Sequence, residues 1–322
     1  MNILVTGGLG LIGHNVVKKL QQQRHTVSIL DIKTNYGIIP QIEIDYLMKE
    51  RSKYLDLSRL YPYSIENKQT IEHVFQAEKP DMVIHMASFP RQKVVNANPG
   101  IASRAMSEGL LYLLEASKKY NTRKFIYISS SMVYGDFKDQ VTEDAICNPQ
   151  GQYGIMKLAG EWLVKDYTRR DKLIHTIIRP SAVYGPLDVE DRVISKFLLT
   201  AMRDGIIKVN GASETLDFTY VDDAAEGIVS AALSNNTDNK TYNITKSHSR
   251  SLLDAANLAV KIVGKGTIEC RDRDLDFPSR GALNIDAARK DFGYSPKVDV
   301  EEGFEKYYEW LKNSPFWSSK TI

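Results

Sequence analysis

The sequence predicts an α/β fold: a doubly wound parallel sheet followed by a smaller α+β region. Three observations lead there. An apolar run at the start, Asn2-Ile3-Leu4-Val5-Thr6, ends in a cluster of glycines. A helical spacing follows, then a second apolar run, Thr26-Val27-Ser28-Ile29-Leu30-Asp31, which closes a strand–turn–helix–strand unit. Later apolar runs keep alternating with helical patterns, as parallel strands joined by crossover helices do.

In chain order, the helix over 11–23 carries Ile12, Val16, Val17 and Leu20 on one face. Met82-Val83-Ile84-His85-Met86, Phe125-Ile126-Tyr127-Ile128-Ser129 and Ile174-His175-Thr176-Ile177-Ile178-Arg179 read as further strands. Helices are expected between them, near 103–119 and 153–170. The alternation weakens after Pro180. Residues 186–215 read as a helix and then short irregular pieces. Asp217-Phe218-Thr219-Tyr220-Val221 is the next strand, with Asp222 and Asp223 starting a helix that runs to Leu233. Mixed α+β structure is expected up to Leu311, and 313–322 reads as a frayed polar tail.

Composition excludes several functional classes. Of 322 residues, 43% are hydrophobic and 25% charged, and the net charge is +2, as in an ordinary soluble globular protein. Neither a nucleic-acid-binding face nor a polybasic membrane anchor is expected. No apolar run approaches the roughly 20 residues of a membrane span, and no signal peptide is expected from the opening residues. Cys147 and Cys270 suggest neither a disulfide framework nor a zinc site, and a reducing cytoplasm is the expected setting. The six histidines show no i, i+3 or i, i+4 pairing, so no dedicated metal site is expected.

Gly7, Gly10 and Gly13 sit between the first strand and the first helix, the context in which a three-glycine pattern predicts a Rossmann-type dinucleotide site. A pyrophosphate can approach the helix N-terminus there, where free N–H groups and the helix dipole favour negative charge. Asp31 closes the second strand. A carboxylate at that place accepts from an adenosine ribose and repels a 2′-phosphate, which predicts NAD over NADP, with Lys33 close by.

Five tyrosines have a lysine four residues later: Tyr120/Lys124, Tyr134/Lys138, Tyr153/Lys157, Tyr242/Lys246 and Tyr308/Lys312. On a helix such residues share a face. A phenol beside an ammonium can ionise below its usual pKa of about 10 and serve as an acid/base toward an alcohol. Spacing alone does not choose among the five.

The order of motifs does. Thr6-Gly7-Gly8-Leu9-Gly10-Leu11-Ile12-Gly13, Asp56-Leu57, Val83-Ile84-His85-Met86-Ala87-Ser88 and Ser129-Ser130-Ser131-Met132-Val133-Tyr134-Gly135 stand in sequence. Gln152-Tyr153-Gly154-Ile155-Met156-Lys157, Arg179-Pro180-Ser181-Ala182-Val183-Tyr184-Gly185-Pro186 and Asp217-Phe218-Thr219-Tyr220-Val221-Asp222-Asp223 follow. Together, from Met1 to about Trp310, they resemble the nucleotide-sugar epimerase/dehydratase family of extended short-chain dehydrogenase/reductases.

The resemblance implies a catalytic set of Ser130, Tyr153 and Lys157. It implies NAD contacts from Gly7, Gly10, Leu11, Ile12, Gly13, Asp31 and Lys33, and from Asp56 and Leu57 as the acid and its neighbour after the third strand. Met86, Ala87, Ser88, Ser129, Tyr153, Lys157, Pro180, Ser181 and Val183 complete that set. Substrate contacts are expected from Arg91, Ser131, Met132, Ala182, Arg192 and Arg280. The implied organisation is an NAD-binding Rossmann domain over 1–180, to which 217–245 returns, and a substrate-binding domain from 181–216 and 246–312. A homodimer built through the helices near 103–119 and 153–170 is also implied.

Family dehydratases carry an aspartate–glutamate pair after the triad serine or threonine, where this chain has Ser131 and Met132. The minimal set suits an NAD-dependent 4-epimerase of a nucleotide sugar, or alternatively an NAD(P)-dependent reductase or dehydrogenase of a keto sugar or related polyol, ahead of a 4,6-dehydratase. A non-catalytic NAD-sensing regulator has little use for a complete triad. Three positions depart from the family pattern. Ala182 and Met106 stand where asparagines are usual, and Leu216 replaces the arginine that grips the diphosphate. Arg91, Arg192, Arg271, Arg273 and Arg280 are the candidate replacements, with Arg280 preferred for its turn-like Pro278-Ser279-Arg280-Gly281 context.

Overall fold

The computed structural model describes residues 1–35, 37 and 39–318. The chain runs β1 (Asn2–Thr6), α1 (Leu11–Gln22), β2 (Thr26–Leu30), α2 (Gln41–Ser52), β3 (Leu60–Tyr61), α3 (Lys68–Glu78) and β4 (Met82–His85). It continues through α4 (Gln92–Ala97), α5 (Pro99–Ser103), α6 (Gly109–Lys119), β5 (Lys124–Ile128), α7 (Gly151–Asp171) and β6 (Ile174–Pro180). Next come β7 (Val183–Tyr184), α8 (Val193–Met202), β8 (Ile206–Asn210), β9 (Thr215–Asp217), β10 (Thr219–Tyr220), α9 (Val221–Leu233) and β11 (Lys240–Ile244). The remainder is β12 (Ser249–Ser251), α10 (Leu252–Val263), β13 (Thr267–Arg271), α11 (Asp286–Phe292), α12 (Val300–Asn313) and α13 (Pro315–Ser318).

Seven strands form one sheet in the order β11-β6-β5-β4-β1-β2-β3, and every pair is parallel. Strands covered on both faces are buried along their whole length and mostly apolar, as β4 and β5 are, with only His85 and Lys124 polar at their ends. Side chains alternate between two cores. Ile3, Val5 and Ile29 pack with Val16, Val17 and Leu20 of α1 and Ile228 of α9. Leu4, Leu30, Val83 and Phe125 pack on the other face with Phe75 of α3, Leu113 of α6 and Val164 of α7. Strand order reverses between β1 and β4, which opens a crevice at the carboxyl ends of the strands. A third core, from α8, α10 and α12, lies beyond β7. In it Leu198, Ala256, Phe304 and Leu311 are fully buried.

Three expectations are corrected. The helix near 103–119 begins earlier, at Pro99, and passes through a π-helical turn at Arg104–Glu108. Asp56 and Leu57 precede the third strand rather than follow it, because β3 starts only at Leu60. The tail is docked through Ser318: Trp317 is fully buried, Phe316 stacks on Tyr46 at 4.8 Å, and the Ser314 and Tyr46 hydroxyls are 2.7 Å apart. Aromatic burial outweighs the fraying that a polar terminus otherwise shows. Residues 319–322 of the expected tail lie outside the described residues.

His14, His85 and His175 are buried, and burial lowers their pKa values to about 4, 3 and 4 respectively. Each is therefore neutral in the fold, whereas an unfolded histidine titrates at about 6.5. Below that pH the unfolded chain binds the extra proton, so this stability is complete above 6.5 and is lost as pH falls toward the folded value. His175 is held by the Thr168 hydroxyl at 2.6 Å. Replacing it by glutamine is expected to flatten the fall in stability between pH 6.5 and 4 by up to about 1.4 kcal/mol per pH unit. Urea unfolding of both proteins across that range checks it, and parallel curves would refute it.

Candidate active site

The crevice between β1 and β4 becomes a cleft lined by the glycine turn, the ends of β2 and β4, the start of α7 and the loop after β7. Gly10 sits just before α1, and no side chain caps that helix, so its first N–H groups are free to meet an anion. Gly13 cannot carry a side chain, because a Cβ there would lie 2.1 Å from the Gly7 carbonyl oxygen. Asp31 accepts from the backbone N–H groups of Leu9 and Lys33, both at 2.9 Å, which aims its carboxylate at the cleft end beyond β2. These features, an uncapped helix start, a glycine cradle and an acid at the strand end, fit a dinucleotide.

The expected cofactor residues divide. Gly7, Gly10, Leu11, Ile12, Gly13, Asp31, Met86, Ala87, Ser88, Ser129, Tyr153, Lys157, Pro180 and Val183 all line the cleft. Lys33 is exposed outside it, and Thr34 and Asn35 take its place in the lining. Asp56 is exposed, trading hydrogen bonds with Gln21, and Leu57 packs against the sheet core. Ser64, Ile65 and Glu66, which do follow β3, line the cleft where that pair was expected. Ser181 is buried and receives a hydrogen bond from the Ser131 hydroxyl at 3.1 Å.

Tyr153 and Lys157 lie one turn apart on α7, with the ammonium 5.9 Å from the phenol ring centroid. The Lys157 ammonium donates to the Ile128 carbonyl at 2.8 Å, and burial lowers its pKa to about 7. Tyr153 is half-buried and lines the cleft, where desolvation raises its phenol above 10 and a hydrogen bond from Ser130 and the charges of Arg192 and Arg280 offset part of that rise. The phenol is thus not pre-ionised by Lys157 in the chain alone, contrary to what the pairing suggested. The other four tyrosine–lysine pairs have structural duties. Lys124 is buried against Ser234 and Thr237, Tyr134 bonds Asn243, Tyr242 bonds Asp291, and Lys312 pairs with Glu309.

Of the expected substrate residues, Arg91 is already engaged. Its guanidinium donates to the Asp191 carboxylate at 2.7 Å and to the Asp191 carbonyl at 2.8 Å, which ties the loop after β4 to the loop after β7. Arg192 lines the cleft, 3.6 Å from Asp188. Arg280 lies near Arg192, and burial, then that neighbouring cation, lower its pKa to about 10. Met132 is buried, and Ala182 packs against the core of α8, α10 and α12. Two residues went unnoticed in the sequence. Arg51 of α2 is buried, lines the cleft, and donates to the Leu9 and Leu187 carbonyls. Its signal was the spacing Ile44, Leu47, Met48, Arg51 on one helix face. Gln92, buried against the start of α7, left no signal at all.

A family model for the NAD dependent epimerase/dehydratase family matches residues 3–245. Protein CapI of Staphylococcus aureus is 28% identical, covering 96% of this chain and 98% of its own. The structure of UDP-glucuronic acid 4-epimerase from Bacillus cereus, in complex with UDP-glucuronic acid and NAD, superposes with a TM-score of 0.89 at 29% identity, covering 97% of this chain and 99% of the other. UDP-glucose 4-epimerase from Thermotoga maritima, solved with UDP-glucose, gives a TM-score of 0.86 at 28% identity, with coverages of 97% and 99%.

Proposed function

Because the chain belongs to the NAD dependent epimerase/dehydratase family, we propose that it is a nucleotide-sugar 4-epimerase that uses NAD. One observation carries the reading. Ser130, Tyr153 and Lys157 converge beside the cleft, while Ser131 is bonded to Ser181 and Met132 is apolar, so Tyr153 has no second acid/base partner on that strand end. An elimination of water needs such a partner, whereas an epimerisation needs one proton carrier used twice.

The glycine turn, Asp31 and Lys157 would hold the dinucleotide, which supplies a hydride acceptor that later returns the hydride. The Tyr153 phenolate oxygen takes the proton from the C4 hydroxyl and gives it back after the keto sugar has turned over. Ser130 holds the same sugar oxygen by a hydrogen bond and keeps it against the phenol. Arg192 and Arg280 are the proposed diphosphate grip in place of the arginine missing at Leu216. Arg280, depressed to about 10 by burial and by the neighbouring Arg192, favours an anionic occupant, while Asp188 already offsets part of the Arg192 charge.

Incubating the protein with a panel of nucleotide sugars and no added cofactor is expected to give new anomeric signals by proton NMR for one of them. Tyr153→Phe is expected to slow that conversion by about 100-fold or more, the range of acid–base catalysis. Net consumption of NADH or NADPH with a keto sugar would replace this reading with a reductase.

We also propose a homodimer and a cytoplasmic setting. Both thiols, Cys147 and Cys270, are free, as in a reducing compartment, and among the described residues no helix is long and apolar enough to cross a membrane. Ile155 and Trp162 stand two turns apart on α7, 53% and 64% exposed, and Ile101 of α5 is 46% exposed. Such apolar residues on the two helices expected to pair favour burial against a second copy. Light scattering at micromolar concentration is expected to give twice 36.4 kDa, falling to the single-chain mass for Trp162→Glu. A monomeric wild type would contradict the dimer.

A further inference from the structure

The helix that carries Tyr153 and Lys157 starts without a cap of its own. The residue before it, Gln150, makes no capping bond, and its side chain is spent on Asp136 at 2.7 Å. The first N–H groups of any helix lack intrahelical partners, and a buried one must find an acceptor elsewhere. Here the Tyr153 N–H donates to the side-chain oxygen of Gln92 at 3.0 Å, across 61 residues of chain. The Gln92 amide nitrogen donates in turn to Asn96 at 3.0 Å, so both ends of the amide are fixed.

We propose that Gln92 is a positioning residue, a cap supplied from another element that sets the height of Tyr153 in the cleft. The two elements are shaped for each other. Gly151 has a φ of +78°, and a Cβ there would come within 2.1 Å of the Gln92 amide nitrogen. Only glycine at the helix start leaves room for the cap. Gln92 itself is 4% exposed and directly follows Phe89, Pro90 and Arg91, which wall the cleft. Val94 and Val95, on the same short helix, pack in one cluster with Tyr153 and Met156. The cleft wall and the acid–base helix are thus joined at one amide.

This inference rests on the acid–base role proposed for Tyr153, and its test separates the two. Hydrogen exchange at the Tyr153 amide reads the cap with no reference to catalysis. Gln92→Met keeps the length and removes the acceptor. It is expected to speed exchange at Tyr153 about fivefold, the scale of one lost cap, and to lower kcat about tenfold with KM within threefold. Gln92→Glu retains an acceptor, which a helix N-terminus favours, and is expected to restore both. If Gln92→Met does not fold, Gln92→Asn, one methylene too short to reach, replaces it with the same expectations. Unchanged exchange in the acceptor-less variant, or a Gln92→Glu protein as impaired as that variant, overturns the proposal. Faster exchange with no epimerase activity in the wild type would instead leave the cap intact and sink the role of Tyr153.

Discussion

Glu161 and Arg179 form a fully buried ion pair on which the geometry of the cleft depends. They are 0% and 3% exposed, and the guanidinium meets the carboxylate through two hydrogen bonds, at 2.6 and 2.9 Å. The Ser129 hydroxyl donates to the same carboxylate at 2.6 Å, and Arg179 reaches on to the Tyr134 hydroxyl, which donates to Asn243. The ends of β5 and β6 and the middle of α7 therefore meet at one carboxylate, and Arg179 and Tyr134 link β11 to it. Removing one partner of such a pair strands a buried charge, at a cost of about 3–5 kcal/mol. Lys157 lies one turn before Glu161 and Tyr153 two turns before, so the pair sets where both stand relative to Ile128 and Ser130.

With α7 fixed in this way, the chemistry of the cleft follows from which charges it leaves unmatched. Asp191 satisfies Arg91 and Asp188 stands 3.6 Å from Arg192, whereas the buried Nε of Arg280 has no hydrogen-bond partner and has Arg192 as a neighbour. Lys157 is depressed by burial and Tyr153 is raised, so neither is poised until charge arrives from outside the chain. A site with an unpartnered Arg280 Nε and an under-ionised phenol is suited to a substrate that brings negative charge and a cofactor that brings positive charge. The second half of the molecule is tied to this arrangement through α2. Arg51 holds the glycine turn and the Leu187 carbonyl together, and Tyr46 receives the docked C-terminal turn.

The sheet was legible in the sequence because its signals are local. A glycine turn between two apolar runs, and strands buried on both faces, need no knowledge of distant contacts. Choosing Tyr153 from five equivalent spacings was possible because the serine strand precedes it in order. What could not be read depended on tertiary neighbours. Asp56 looked like the acid after the third strand, but β3 is only two residues long and starts later. Arg91 is engaged by Asp191, 100 residues further along the chain, a pairing that no local pattern reports. Gln92 serves a helix that begins far along the chain, and no local pattern marks it. The direction of the phenol's pKa is not legible in the spacing, because desolvation, which spacing does not report, outweighs the lowering by Ser130, Arg192 and Arg280.

The central claim is that Tyr153 and one bound dinucleotide carry a reversible redox cycle at a single sugar carbon, with nothing exchanged with water at that carbon. It is tested most directly with a nucleotide hexose bearing deuterium at C4, turned over in ordinary water without added cofactor. The account predicts a C4-inverted product that keeps the deuterium at C4. Deuterium released to solvent, or label recovered on a reduced nicotinamide cofactor in place of the product, would contradict it.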